Sequence, residues 1–134
     1  MIRKSNKLFM EIIFSKNAPD PIGPYSQAVL VNGLLYISGQ IAINPKTQEL
    51  MTGSIESETT QVMENIRSIL KEASTDFSRV VKSSIFIKNM NDFTKINQIY
   101  GKYFNKNSPA RETIEVSKLP KNCNIEISCV ASVH

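Results

Sequence analysis

The sequence predicts an α+β fold in which two helices cover one face of a single β-sheet. The predicted elements follow the order β-β-β-α-β-α-β-β along 134 residues, which suits one sheet with helices packed on it. Residues 55–74 show helical periodicity, whereas residues 125–133 alternate as a strand with one buried face does. The length allows one domain with a hydrophobic core, which we place at residues 11–134.

The first three predicted strands precede the first helix. Residues 11–15 form a short apolar run that ends at several turn-forming residues. Residues 28–31 and 34–38 are two further apolar runs separated by Asn32-Gly33. This dipeptide between apolar runs is the strongest short-range signal for a hairpin, so these runs are predicted to pair.

The first helix is predicted over residues 55–74. Its apolar positions recur at steps of three and four residues: Ile55, Val62, Ile66, Ile69, Leu70 and Ala73. The charged residues that lie mostly off this stripe are Glu58, Glu64, Arg67 and Lys71. The pattern indicates an amphipathic helix whose apolar side packs on the sheet.

A fourth strand and a second helix follow. Residues 79–88 are dense in Val, Ile and Phe, which favours a strand. Asn91-Asp92 is typical of a helix cap, and a helix is predicted to begin there. The residues predicted to share one side of this helix are Phe93, Ile96, Tyr100 and Phe104.

Alternation along the last two strands separates the two faces of the sheet. The residues assigned to the helix-covered face are Ile125, Ile127, Cys129, Ala131 and Val133. Glu126 and Ser128 then point to the other, mixed face. Likewise Arg111, Thr113 and Glu115 are predicted to share a face, opposite Glu112, Ile114 and Val116. The uncovered face mixes polar and apolar residues, which is typical of subunit contacts. We therefore expect an oligomer.

The charge distribution argues against a nucleic-acid partner. Arg3, Lys4 and Lys7 supply three of the four net positive charges, so residues 10–134 carry a net charge of about +1.

No apolar run approaches the ~20 residues that span a bilayer, which argues against a membrane partner. Residues 1–10 are predicted to be a flexible basic extension. A cytoplasmic location is predicted, with an organelle as the alternative if this extension is a targeting segment.

The chain offers few side chains for catalysis. Its single histidine is the terminal His134, and Cys123 and Cys129 lack metal-type or redox-type spacing. Reduced, packed cysteines are predicted, with a disulfide as the alternative. Arg111 enters a strand from a loop, and its planar guanidinium suits a carboxylate through two parallel hydrogen bonds. Spacing alone leaves open an ordinary structural role for each residue. Arg111 would then form a surface ion pair, and Glu126 would be a solvent-exposed residue of its strand.

Five motifs occur in order along the chain. They are Ile22-Gly23-Pro24-Tyr25-Ser26-Gln27-Ala28, Ile37-Ser38-Gly39-Gln40-Ile41, Val80-Val81-Lys82-Ser83-Ser84-Ile85-Phe86-Ile87, Asn91-Asp92-Phe93 with Asn97, Tyr100 and Phe104, and Pro109-Ala110-Arg111 with Leu119-Pro120 and Ile125-Glu126-Ile127. Together they closely resemble the YjgF/RidA family, also called liver perchloric-acid-soluble protein (L-PSP). The resemblance covers about residues 11–133 without large gaps.

This resemblance implies a chorismate-mutase-like fold and a homotrimer with clefts between its subunits. It also implies hydrolytic deamination of reactive 2-enamine and 2-imine carboxylates, such as 2-aminoacrylate and 2-iminobutanoate, to 2-keto acids and ammonia. Such a reaction protects against metabolite damage. It needs no metal and no organic cofactor, since imines already hydrolyse in water and one general base can accelerate that reaction.

The resemblance also implies roles for individual residues. Arg111 would bind the substrate carboxylate, and Glu126 would position or deprotonate the attacking water. Thr113 would orient the imine nitrogen and water through its backbone, together with the Ser38-Gly39 loop. The residues implied to line the cleft are Tyr25 and Asn97.

Three positions depart from the family pattern, and two other functions stay open. Thr113 stands where many deaminating members have cysteine, and Ser74 and Gln48 stand where glycine is common. The latter two are expected to cost about 1 kcal/mol each if their φ angles are positive. The alternative functions are an endoribonuclease or translation inhibitor of the L-PSP type, and a non-catalytic protein that binds small carboxylates. The lack of a histidine acid–base pair argues against the first.

Overall fold

The structure is a computed structural model that describes residues 9–134, and it has the predicted order of elements. The strands are β1 (Glu11–Ile13), β2 (Ala28–Val31), β3 (Leu34–Gln40), β4 (Val80–Ile87), β5 (Ala110–Glu115) and β6 (Ile125–Ser132). The helices are α1 (Ile55–Glu72) and α2 (Phe93–Gly101). The predicted α+β class with the order β-β-β-α-β-α-β-β is confirmed. The predicted N-terminal extension lies outside the described residues, apart from Phe9 and Met10.

All six strands join one sheet in the order β1-β2-β3-β6-β4-β5. Neighbouring strands are antiparallel except β4 and β5, which are parallel and joined by α2. The last strand of the chain therefore lies in the middle of the sheet, between β3 and β4. β5 lies at the edge, so among residues 9–134 one side of its backbone has no neighbouring strand.

The predicted hairpin turn connects β2 to β3. Val31 pairs with Leu34, and the two residues between them, Asn32 and Gly33, have φ angles of 51° and 74°. Two successive positive φ angles are the requirement of a two-residue hairpin turn of type I′. The hairpin prediction is therefore confirmed.

Positive φ angles also occur at two positions where the family commonly has glycine. Gln48 has φ of 59° and Ser74 has φ of 58°. An L-residue is strained in this region, because its Cβ crowds the backbone. Since both φ angles are positive, the predicted cost of about 1 kcal/mol per residue applies at both positions.

Helix α1 begins at a capping box. The Ser54 side chain accepts a hydrogen bond from the backbone N–H of Ser57, whose own hydroxyl lies 3.1 Å from the Ser54 backbone nitrogen. The predicted apolar stripe is buried, with Val62 and Ile66 fully enclosed. Glu58, predicted to lie off the stripe, is instead 1% exposed. The prediction was wrong there because Glu58 lies three residues after Ile55 and four before Val62, which places it on the buried side, where it accepts hydrogen bonds from Asn124.

Helix α2 is capped differently from the prediction. Asp92 occupies the N-cap position but makes no side-chain hydrogen bond to the helix. The capping bond is made one turn earlier, where Asn89 accepts from the N–H of Asn91 at the start of a short 3-10 turn.

In residues 9–134 no helix is both long and apolar enough to cross a membrane. The cytoplasmic location stays a prediction.

The two faces of β6 differ as the alternation predicted. Every second residue of β6, from Ile125 to Ala131, is buried beneath the two helices. The face away from the helices, which we call the open face, carries Glu126 together with exposed Tyr36 and Ile114. Both cysteines are free and buried, in agreement with the prediction of reduced, packed thiols.

On β5 the predicted assignment of the faces was wrong, since Ile114 lies on the open face and Arg111 on the helix-covered face. Alternation within one strand does not decide which of its faces the helices cover.

Candidate functional site

Arg111 stands near the start of β5 and points toward the helices. Its pairing partner on β4 is Ser83, and two residues further Thr113 pairs with Ile85. Ser83 and Ile85 are fully buried under the helices, so Arg111 and Thr113 share that side. Arg111 Nη1 donates a hydrogen bond of 2.8 Å to Asn97 Oδ1 on α2. The structure thus brings two predicted site residues, Arg111 and Asn97, into direct contact.

Two aromatic rings of α2 support the guanidinium. The Arg111 Cζ atom lies 5.6 Å from the ring centre of Phe93 and 5.1 Å from that of Tyr100. Phe93, Asn97 and Tyr100 are spaced four and three residues apart, so they lie on one face of the helix. Sequence reasoning assigned Phe93 and Tyr100 only to the apolar side of α2. The Phe-Asn-Tyr spacing next to a strand arginine is the signal that could have identified their role.

The guanidinium keeps donors available for a ligand. An arginine side chain has five N–H donors, and the bond to Asn97 uses one of them. Among residues 9–134 no carboxylate forms an ion pair with Arg111. Its neighbour Glu112 points to the face opposite Arg111, as predicted, and pairs there with Lys82 at 2.8 Å. The surface ion pair considered for Arg111 is therefore not formed within the described chain.

The backbone of Thr113 faces the free edge of the sheet. The N–H of Val116 donates to the carbonyl of Ile87 on β4, so the amide at position 116 points inward. Amides alternate in direction along a strand, so those of Arg111 and Thr113 point outward, where the described part of the chain places no strand beside β5. The Thr113 hydroxyl oxygen is buried and has no hydrogen-bond partner within residues 9–134. Asn97, Arg111 and Thr113 form what we call the edge group.

Glu126 lies on the open face of β6 and rests against Gly39. A Cβ atom built at position 39 would lie 2.7 Å from both the carboxyl carbon and Oε2 of Glu126. Any side chain at this position would displace the carboxyl group, so glycine is required for the contact. The β3–β6 register shifts between Ile37 and Gln40, which marks an irregularity beside this contact.

Ser38 and Tyr25 lie next to this contact. The Ser38 hydroxyl donates to the carbonyl of Ser26, and its N–H donates to the carbonyl of Gln27 at 2.9 Å. Tyr25 is partly exposed and lines a shallow crevice together with Gly39. Ser38 is thus occupied by backbone partners and presents no free nucleophile. We call Tyr25, Ser38, Gly39 and Glu126 the open-face group. Together with the edge group, it contains all the predicted site residues.

The environment of Glu126 favours its protonated form. Burial raises the pKa of its carboxyl group above the ordinary value, because removal from water disfavours the charged form. Within residues 9–134 no hydrogen bond or ion pair to its side chain offsets this effect. A carboxylate with a raised pKa is a stronger base toward a bound water molecule.

Comparison with known proteins agrees with this architecture. The model of the family described as endoribonuclease L-PSP matches residues 15–133. The human 2-iminobutanoate/2-iminopropanoate deaminase is 44% identical over 126 residues, which cover 94% of this chain and 92% of the human protein. The chain belongs to the YjgF/RidA family.

Solved structures of other members share the fold. YyfA of Yersinia pestis, a Rid family protein of unknown function, is 48% identical, with a TM-score of 0.90 over 92% of this chain and 99% of YyfA. Escherichia coli TdcF, solved with bound serine, is 32% identical, with a TM-score of 0.87 over 91% of this chain and 98% of TdcF. The predicted family and fold class are confirmed.

Two buried polar residues of α1 hold the surroundings of the open-face group in this YjgF/RidA chain. Glu58 accepts hydrogen bonds from the backbone N–H and side-chain amide of Asn124, at 2.8 and 2.9 Å, two residues before Glu126. Asn65 donates to the carbonyls of Ile41 and Ile43, at 3.1 and 2.9 Å, just after β3. Sequence reasoning missed both residues, because only the fold brings their partners to the helix.

The two groups of this RidA-type site do not meet within one chain. Arg111 is on the helix-covered side of the edge strand, whereas Glu126 is on the open face of β6, with β4 between them. The edge group offers a guanidinium for a carboxylate, together with backbone groups that face away from β4 at the edge of the sheet. The open-face group offers a carboxyl base. A site that uses both must draw them from different copies of the chain.

Proposed function

We propose that this chain is a cofactor-independent deaminase of reactive 2-imine and 2-enamine carboxylates, which yields 2-keto acids and ammonia. The observation that carries the proposal is the Arg111 guanidinium, which is held by Asn97, Phe93 and Tyr100 and whose remaining donors have no hydrogen-bond partner among residues 9–134. A planar, partly buried guanidinium of this kind suits the carboxylate that all such substrates share.

The proposed assembly is a homotrimer with a cleft between neighbouring subunits. In it the edge group of one subunit would face the open-face group of the next. The exposed apolar residues Ile12, Tyr36 and Ile114 on the open face support a contact between copies, since an isolated subunit would leave them in water. Closed cyclic symmetry would give each trimer three equivalent clefts.

In the proposed reaction, Arg111 binds the substrate carboxylate through two parallel hydrogen bonds. The outward backbone groups of Thr113 orient the imine nitrogen, while Glu126 of the neighbouring subunit accepts a proton from a water molecule. The water oxygen bonds to the imine carbon, and Glu126 passes the proton it accepted to the nitrogen, which gives a carbinolamine. Glu126 then accepts the hydroxyl proton and transfers it to the nitrogen, so the carbon–nitrogen bond breaks as the carbonyl forms, which releases ammonia and leaves the 2-keto acid. General base assistance of this type contributes about 10²–10⁴-fold.

The relatives support the choice of substrate. The human protein is named for deamination of 2-iminobutanoate and 2-iminopropanoate, both small 2-imino acids. Serine, which is bound in the solved TdcF, carries the same kind of carboxylate on a small α-carbon substituent. We therefore propose small 2-imino acids as substrates, and 2-aminoacrylate as an enamine that enters through its imine tautomer.

The test is an assay in which a threonine dehydratase generates 2-iminobutanoate and semicarbazide traps it. The proposed enzyme shortens the lifetime of the imine, so the yield of trapped product falls as the protein is added. An unchanged yield would reject the deaminase. Tight binding of 2-oxobutanoate without imine turnover would favour the alternative, a carboxylate-binding protein that uses the same Arg111.

The name of the matching family also raises ribonuclease activity. Residues 10–134 carry a net charge of about +1, which gives little electrostatic attraction for RNA. RNA cleavage that survives repurification and depends steeply on salt would favour this alternative over the deaminase.

A further inference from the structure

A cavity of about 650 Å³ lies on the helix side of the molecule, and its lining residue Phe104 contacts the ring of Tyr100, which separates the cavity from Arg111. It is bounded by the end of α1, the turn at residues 75–78 and the segment at residues 103–107 that follows α2. None of the seven residues of the edge and open-face groups lines it. Its volume falls within the range of about 300–1,000 Å³ that is usual for small-molecule sites. We call it the helix-side cavity.

The wall of this cavity is aromatic. Phe77 contacts Tyr103 and Phe104 edge-on, with ring centres 5.0 and 5.6 Å apart. Leu70, which is buried, also lines the cavity. Rings packed edge-on in this way form an apolar corner, in which an aromatic ligand can pack against the face of one ring and the edge of another.

The rim of the cavity is cationic. The Arg67 guanidinium lies over the rings of Phe77 and Tyr103, at 5.7 and 5.1 Å, and its contact with Glu64 is long at 3.7 Å. Lys71 and Lys106 are the other two cations of the lining, and neither forms an ion pair within residues 9–134.

The carboxylates near the cavity are already engaged. Asp76 is the acidic residue of the lining, and it accepts a 2.8 Å hydrogen bond from the backbone N–H of Ser78 and another from the Ser78 hydroxyl. These bonds lower the pKa of Asp76. Glu64 accepts a 2.7 Å hydrogen bond from the Tyr103 hydroxyl. Within residues 9–134 the two lysines of the rim therefore have no ion-pair partner, and Arg67 has only its 3.7 Å contact with Glu64, so the rim can attract an anion from outside the chain.

We propose that the helix-side cavity binds a small aromatic carboxylate. Its ring would lie against Phe77 and Phe104, and its carboxylate would meet Arg67 and Lys71 at the rim. The aromatic wall and the cationic rim are both needed, so an apolar molecule without charge and an anion without a ring should each bind more weakly. This inference concerns a second site, and it does not depend on the deaminase activity.

The probe is phenylacetate, titrated into the full chain and followed by isothermal titration calorimetry. Every protein carries Arg111→Ala, so that the candidate site does not compete for the carboxylate. We expect phenylacetate to bind more tightly than benzyl alcohol or acetate. Adding Arg67→Gln and Lys71→Gln should weaken its binding at least about tenfold.

The matched control replaces two exposed lysines outside the cavity, Lys95→Gln and Lys118→Gln, which removes the same charge. We expect this control to bind phenylacetate as the Arg111→Ala protein does. An equal loss in the control, or no binding of phenylacetate at all, would overturn the proposal.

Amide shifts in NMR spectra locate the probe independently and guard against variants that fold poorly. On addition of phenylacetate we expect the largest shifts at residues 67–78 and 103–107. Lys106→Gln, on the exposed segment, should weaken binding without a change in melting temperature. Shifts centred on the open face of the sheet would contradict the assignment.

Discussion

The edge group and the open-face group position their charged residues in opposite ways. Arg111 is held by added contacts, since Asn97 bonds to it and Phe93 and Tyr100 lie beneath it. Glu126 is positioned by the lack of a side chain at Gly39, because its carboxyl group occupies the space where a Cβ at position 39 would be. The contacts around Arg111 are distributed over a helix face. The placement of Glu126 depends on a single position and should be the more sensitive of the two.

The largest effect is expected from Glu126→Gln. This change keeps the shape of the side chain but removes the base, so kcat for 2-iminobutanoate should fall by about 10²–10⁴-fold. Steady-state assays by the trapping method measure it, and Glu72→Gln on the exposed side of α1 is the control. If the Glu126 variant and the control gave the same kcat, Glu126 would have no role as a base.

A single methyl group at position 39 should cost nearly as much. In Gly39→Ala the new Cβ displaces the Glu126 carboxyl group, and misplacement of a catalytic group by about 1 Å costs about 10²-fold. We expect kcat to fall by that order while 2-oxobutanoate binding at Arg111 changes little. Gly101→Ala is the matched control, because a Cβ there meets no atom within 4 Å. Normal kcat in Gly39→Ala would show that Glu126 is not placed by this contact.

Arg111→Ala should have a smaller effect than loss of the base. A hydrogen bond to a charged group is worth about 1.5–3 kcal/mol, so kcat/KM should fall by about ten- to a hundredfold. Binding of 2-oxobutanoate should weaken in parallel. Lys95→Ala removes a positive charge from the exposed side of α2 and serves as the control. Equal kcat/KM values in the two variants would reject Arg111 as the carboxylate contact.

The pH dependence of kcat/KM distinguishes the role of Glu126 from that of Arg111. The proposed role of Glu126 as the deprotonated base predicts that kcat/KM falls about tenfold per pH unit as pH drops below its pKa. Burial raises that pKa, so the fall should begin above the range of an ordinary glutamate, which is about 4.3. The acidic limb should vanish in Glu126→Gln and persist in Arg111→Ala. A limb that survives in Glu126→Gln would assign it to another group.

Local patterns predicted much of this fold. Alternation placed Ile125 and Ile127 in the core and Glu126 on the other face, and Asn32-Gly33 marked the hairpin. These features depend on residues close in sequence. The position of β6 between β3 and β4 depends on pairing over long separations, which periodicity does not contain.

The sequence predicted which residues belong to the candidate site, but not how they are arranged in the fold. The family resemblance named Arg111, Glu126 and their neighbours, but it could not show that they lie on opposite sides of one sheet. Nor could it show that Gly39 is needed for Glu126, since that contact joins two strands far apart in the sequence.

The most direct test of the account is whether the two groups come from different subunits. Arg111→Ala and Glu126→Gln proteins are mixed in equal amounts after subunit exchange, which native mass spectrometry verifies. One cleft in four then combines an intact Arg111 with an intact Glu126, so activity should return to about a quarter of the unmodified level. If exchanged mixtures stayed as inactive as the separate variants, the two residues would not share a cleft between subunits.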